Sequence, residues 1–230
     1  MRLDKFIATV TDLSRSDAKR ALKAGEVAVE GKAITDAQFD VPATAHITLL
    51  GRRLRTATPR YFMLYKPDGY VCATKDREHL TVLDLLDEDN RDALHIAGRL
   101  DVDTTGLVLL TDDGQWSHWI TSPKAGCDKT YWLQTAEPIP PETVARFACG
   151  LFLHSEKERL KPAQLQIIDA HTARLTISEG KYHQVKRMFG AVGNAVTRLH
   201  RERIGTLELD RALAAGEYRA LSPEEIALFQ

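Results

Sequence analysis

Apolar positions along the 230-residue chain follow two different rhythms. In Arg2-Leu3-Asp4-Lys5-Phe6-Ile7-Ala8, the residues Leu3, Phe6 and Ile7 share one face of a short helix. A second helix opens at Ser14-Arg15-Ser16, where either serine can supply an N-cap oxygen, and Ala18, Ala21 and Leu22 form its apolar side. Gly25 stops it. Val27-Ala28-Val29-Glu30-Gly31-Lys32-Ala33-Ile34 then changes to the two-residue period of a strand, a turn and a strand. Residues 51–60, Gly51-Arg52-Arg53-Leu54-Arg55-Thr56-Ala57-Thr58-Pro59-Arg60, are polar, basic and closed by proline. They are expected to be a linker between a small unit, 1–58, and a larger one, 61–230.

The larger unit opens with a strand, Tyr61 to Tyr65, and a Pro67-Asp68-Gly69 turn. A short helix is predicted over Thr81 to Leu86, and Leu94 to Gly98 leads into a loop. Leu107 to Thr111 is a short apolar run closed by Asp112-Asp113-Gly114, the pattern of a buried strand ending in a turn. A helix from Asp113 or Gly114 carries Trp116 and Trp119, three residues apart and read as core packing. Strands are predicted at Lys129–Thr135, Ala163–Ile168, Ala173–Ile177, Val196–Leu199 and Thr206–Leu209. Helices are predicted around Glu142 to Ala148, behind Pro138, Pro140 and Pro141, and over Tyr182 to Val192, ended by Gly193. Ser222-Pro223-Glu224-Glu225 is a capping box with proline at the first helical position. Many strands with few long helices favour an α+β, largely antiparallel mixed-sheet body.

Hydrophobic content of 43% and charged content of 27% are those of a globular protein with a real core. No apolar run is long enough to span a membrane, and Met1-Arg2-Leu3-Asp4-Lys5 lacks a signal segment, so a cytoplasmic protein is expected. A monomer is expected as well. Cys72, Cys127 and Cys149 are odd in number and share no metal-ligand spacing, and the eight histidines are scattered. Neither a metal nor a cofactor is expected. Glu179-Gly180-Lys181-Tyr182 lacks the rest of a phosphate-cradling loop. The net charge of −1 hides an asymmetry: residues 1–60 carry 11 Lys/Arg against 7 Asp/Glu, and the remainder 20 against 25. A basic module beside a mildly acidic body is the pattern to test for a nucleic-acid partner.

Candidate chemistry centres on Arg99-Leu100-Asp101-Val102-Asp103-Thr104-Thr105-Gly106. Asp101 precedes a buried strand, where a rigid scaffold can present one carboxylate; by position alone it could equally cap a turn. Arg-Leu-Asp-x-x-Thr-Thr-Gly before an apolar strand resembles the catalytic signature of the pseudouridine synthases of the RsuA/RluA superfamily. Lys66-Pro67-Asp68-Gly69-Tyr70, Lys129-x-Tyr131 and Gly180-Lys181-Tyr182-His183-Gln184-Val185-Lys186-Arg187-Met188 resemble three further motifs of the same family. The first 58 residues resemble the S4 RNA-binding (α-L) domain. Overall similarity, including Gln115-Trp116-Ser117-His118, is nearest to members acting on the small ribosomal subunit.

The resemblance implies isomerisation of a uridine to pseudouridine in 16S (small-subunit) ribosomal RNA, free or in an assembly intermediate. Asp101 would be the nucleophile, attacking ribose or base or acting by elimination. Tyr131 would stack on the target uracil and could also serve as general base, and Lys186 would be the cation beside the carboxylate, with Arg187 the alternative. Arg99 would fill the place that the base vacates or bind a phosphate. A carboxylate taken from water needs such a cation to stay ionised, and a lysine supplies a point charge rather than a fork. The Lys-Pro-x-Gly-Tyr motif would brace the loop, without chemistry of its own. Arg15, Lys19 and Lys23 recur at four-residue spacing, and with Arg2 and Lys5 they would contact RNA phosphates through the S4-like unit. A large-subunit synthase, and a non-enzymatic RNA-binding or ribosome-assembly factor, are the competing expectations.

Overall fold

A computed structural model describes every residue except 43–44, 55–57, 123–125, 155 and 230. The chain divides into two compact units, Met1–Pro59 and Arg60–Gln230.

In the first unit, α1 (Leu3–Val10) and α2 (Arg15–Lys23) lie on a sheet of β1 (Val27–Val29), β2 (Lys32–Ala33), β3 (Ile47–Leu49) and β4 (Arg52–Leu54), ordered β2-β1-β3-β4 and antiparallel throughout. Ser14 caps α2 by accepting from the Asp17 amide, and Gly25, at φ +75°, turns the chain out of it. Leu3, Phe6 and Ile7 meet Ala18, Ala21, Leu22, Val27, Val29 and Ile47 in the core. Residues 51–60, expected as a linker, begin instead with Gly51 and β4. The alternation of Arg52, Arg53 and Leu54 was masked by charge, and cross-strand pairing with β3 overrides it. Residues 55–57 of that expected linker lie outside the described residues.

The second unit runs β5 (Tyr61–Lys66), β6 (His95–Ala97), β7 (Thr105–Thr111), α3 (Gly114–Thr121), β8 (Lys129–Thr135), α4 (Glu142–Ala148), β9 (Gln164–Ile167), β10 (Thr172–Ile177), α5 (Gln184–Gly190), β11 (Val196–Ile204), β12 (Leu207–Glu208), β13 (Tyr218–Ala220) and α6 (Pro223–Ala227). The main order is β13-β5-β7-β11-β8-β10-β9, with β6 added to β7 and β12 to β11. Among the described residues, only β7 and β11 pair as parallel strands; every other strand pair in this sheet is antiparallel. Along β7, Leu107 and Leu109 face one core with Met63, Trp116 and Phe229. Val108 and Leu110 face the other with Phe147, Val185, Met188 and Phe189. Burial on both faces explains an unbroken apolar run in place of alternation. No helix among the described residues is long and apolar enough to cross a membrane.

Several expectations need correction. The segment Thr81–Leu86 forms a 3-10 turn, Val82–Leu85, capped by Thr81 and Asp84. The helix expected from Tyr182 starts only at Gln184, because His183 takes a left-handed backbone at φ +46°. Val196–Leu199 is the first half of a nine-residue strand whose second half is too charged to read as buried. Trp116 is buried, but Trp119 is 41% exposed at the edge of Phe229.

Candidate active site

Asp101 lies in the loop joining β6 to β7, and two buried cations hold that loop from opposite ends. Lys66, the last residue of β5, has no exposed surface; its Nζ donates to the carbonyls of Pro67, Val102 and Thr104 at 3.0, 3.0 and 2.8 Å. Burial lowers its pKa, partly opposed by the charges around it. On β11, Arg201 is equally sequestered. Its Nε donates to the Leu107 carbonyl at 2.8 Å, and its Nη2 and Nη1 donate to those of Gly98 and Arg99 at 2.8 and 3.5 Å. The Gly69 amide donates to Val102 O, the Thr104 amide to Asp101 O, and the Leu100 amide to Cys72 Sγ. Gly106 lets β7 lie against β11 here: a Cβ on it would stand 2.3 Å from the Arg201 carbonyl oxygen, and its φ is +109°. A rigid carboxylate is thus set by backbone hydrogen bonds and not by its own contacts alone.

The Asp101 side chain faces the N-terminal turn of α5. Its Oδ2 lies 3.3 Å from Lys186 Nζ, and its Oδ1 lies 3.4 Å from His183 Nε2. Lys186 also donates to Asp103 Oδ1 at 2.5 Å. Partial burial would pull the Lys186 pKa down, but the Asp103 hydrogen bond and the charges of Asp101 and Asp103 more than offset it, and the net shift is upward. Burial likewise works to raise the Asp103 pKa, and Lys186 reverses it to a net lowering. Lys186 is therefore a firmly charged counter-ion shared by two carboxylates.

Asp101, Lys186, His183, Arg99, Thr104 and Tyr131 line one cleft of about 80 Å³. Tyr131 sits on β8, between Leu175 of β10 and Arg201 of β11, and is 8% exposed. Arg99 is exposed at the cleft, and its carbonyl, not its guanidinium, is tied to Arg201. A larger groove of about 850 Å³, bordered by Tyr65, Arg174, His200 and Glu202, shares no lining residue with it, and there Arg174 pairs with Glu202.

The motif residues thus converge, with two exceptions. Arg187, the alternative partner for Asp101, points elsewhere: its Nη2 donates to Glu156 Oε1 and its Nη1 to the Tyr182 carbonyl, both at 2.8 Å. Successive helical residues are about 100° apart, so only one of positions 186 and 187 can face the carboxylate. Lys129, two residues before Tyr131, is buried with its Nζ on the carbonyls of Ile120 and Cys127, so it anchors β8 and stays out of the cleft. In the first unit, Asp4 is fully buried and receives Arg2 and Arg15 at 3.2 Å and Lys19 at 3.9 Å. Burial opposes its charge, yet the Arg15 and Arg2 guanidinium groups hold its pKa below the usual carboxylate value. Lys5 and Lys23 are exposed.

Three contributors escaped the sequence: His183, Asp103 and Arg201. The signal for Arg201 was its parity with Leu199 on β11, which put it on an inward face. His183 carried none, because its contact depends on a left-handed backbone that a non-glycine residue seldom adopts.

Comparison with known proteins identifies the family. A family model for RNA pseudouridylate synthase matches residues 60–191, and one for the S4 domain matches residues 1–47. The chain is 55% identical over 228 residues to the ribosomal small subunit pseudouridine synthase A of Salmonella typhimurium, covering 99% of each. It is 54% identical over 228 residues to the protein of that name from Escherichia coli, again covering 99% of each. A solved pseudouridylate synthase crystal structure superposes with a TM-score of 0.74 at 47% identity, over the whole of both chains. With an S4 domain ahead of a mixed-sheet catalytic body, the chain belongs to the RNA pseudouridylate synthase family.

Proposed function

We propose that the protein converts a uridine of small-subunit (16S) ribosomal RNA to pseudouridine, with Asp101 as the nucleophile. The observation that carries this reading is the Asp101 carboxylate 3.3 Å from the Lys186 ammonium, in a cleft that Tyr131 also lines. The reaction breaks the bond from uracil N1 to ribose C1′, turns the base, joins C5 to C1′, and exchanges the C5 proton for one on N1. Nothing is consumed. A carboxylate acting as covalent catalyst is the group such a rearrangement needs, and the Lys186 ammonium lies 3.3 Å from it. The uridine must leave its stack to reach Asp101. Tyr131 then receives the uracil ring, and Arg99, at the rim, takes up the space left in the RNA. The exposed cations of the S4 domain, Lys5 and Lys23 with Arg2, Arg15 and Lys19, hold phosphates and position the substrate. The proposed setting is a monomer working in the cytoplasm on free RNA or on an assembly intermediate.

The test is Asp101→Asn, which keeps shape and removes charge. Pseudouridine formed in a small-subunit RNA transcript should fall by at least about 10³-fold, with RNA affinity retained. Turnover equal to wild type would overturn the assignment. Pseudouridine appearing only in large-subunit RNA would overturn the choice of substrate.

A further inference from the structure

Tyr182 is 77% exposed, more than any other large apolar side chain among the described residues. It is not a loose surface ring. It stacks on His183 with centroids 3.8 Å apart and planes 19° apart, and His183 in turn lies 3.4 Å from the Asp101 carboxylate. The segment is anchored on both sides of the pair. Lys181 donates its amide to Gln184 Oε1 and its ammonium to Glu156, and Arg187 donates to the Tyr182 carbonyl. One face of the phenol ring is covered by the imidazole, the ring is otherwise exposed, and its chain neighbours Lys181 and His183 both line the cleft. Folding alone gives no reason to hold a large flat ring in water.

We infer that the Tyr182–His183 stack is a platform for the nucleobase adjoining the flipped uridine. The inference rests on the pseudouridine synthase reading and adds a second base-binding position to it. Extruding one nucleotide leaves its neighbour without a stacking partner. An aromatic ring held parallel to a second ring offers that neighbour a ready face, whatever the base.

The experiment compares wild type with Tyr182→Ala, Tyr182→Phe and Tyr182→Trp on a small-subunit RNA transcript. It repeats the comparison on two RNAs in which the nucleotide on one or the other side of the target is abasic. Tyr182→Ala should raise KM about tenfold with kcat changed less than about twofold, and Phe or Trp should restore KM. On one of the abasic RNAs the Ala variant should match wild type. An unchanged KM, a loss confined to kcat, or an equal Ala effect on all three RNAs would overturn the platform. Wild-type turnover on the intact transcript, read in the same series, reports separately on the synthase activity.

Discussion

At the residue scale, the feature that most needs explaining is that Lys186 serves two carboxylates. It lies closer to Asp103, at 2.5 Å, than to Asp101, at 3.3 Å. A lysine is a point charge on a flexible stem, so a single carboxylate would hold it loosely. Asp103, which is 62% exposed, has little to do except restrain that stem. Asp103→Asn should therefore lower kcat several-fold while leaving stability nearly unchanged. In a Lys186→Arg background the same change should cost less, since a guanidinium fork can grip Asp101 without a second anchor. A double-mutant cycle on kcat reads this non-additivity; strictly multiplicative effects would refute it. The pH dependence has a definite sign. Lys186 acts when protonated, so its activity contribution is complete at low pH and is lost as pH rises through its pKa. Asp103 is among the causes that raise this pKa. Removing it should bring the alkaline fall in kcat to lower pH, measurable as a shifted limb of the rate profile.

At the scale of elements, the site is a loop suspended between two strands that reach it from different parts of the chain. Lys66 ends β5 and Arg201 lies within β11, and between them they satisfy carbonyls at Pro67, Gly98, Arg99, Val102, Thr104 and Leu107. Lys66→Met leaves three carbonyls without that donor. It should reduce stability by about 2 kcal/mol, the net of lost charge-assisted bonds and a relieved buried charge. It should also speed hydrogen exchange at the Thr104 amide before exchange rises within β7, as seen by native-state exchange. Gly106→Ala meets a harder limit, since the new Cβ would collide with the Arg201 backbone at a φ of +109°. A loss of more than about 4 kcal/mol in urea unfolding is expected there. These contacts also explain how much could be read in advance. Arg-Leu-Asp, Lys-x-Tyr and His-Gln-Val-Lys are local strings, so Asp101, Tyr131 and Lys186 were legible as candidates. The brace by Arg201 spans 94 residues to Leu107, and the choice of Lys186 over Arg187 depends on the phase of α5, which starts two residues later than the apolar pattern suggests. Short strands such as β3, β4 and β13 are decided by pairing partners and carry too few residues to show a period.

At the scale of the whole molecule, a net charge of −1 looks ill suited to a polyanionic substrate. The charge is segregated, however, and the first unit sharpens the segregation. Asp4, one of its few acids near the helices, is buried beneath Arg2, Arg15 and Lys19 and does not face solvent. The basic ends above it serve folding as well as any bound phosphate, so removing Arg15 or Lys19 would leave a buried carboxylate short of partners and confuse the two effects. Lys5 and Lys23, exposed on α1 and α2, are the cleaner probes. If they hold phosphates, Lys5→Ala and Lys23→Ala should each weaken binding of small-subunit RNA and flatten the dependence of log K on log salt by about 0.7, one released counterion per contact. Unfolding midpoints should stay close to wild type, and kcat at saturating RNA should be unaffected, because neither residue belongs to the compact unit that carries Asp101. The decisive measurement is the salt slope itself, from fluorescence titrations between low and physiological salt. A slope equal to that of the wild type in both variants would mean that RNA is held elsewhere than at Lys5 and Lys23.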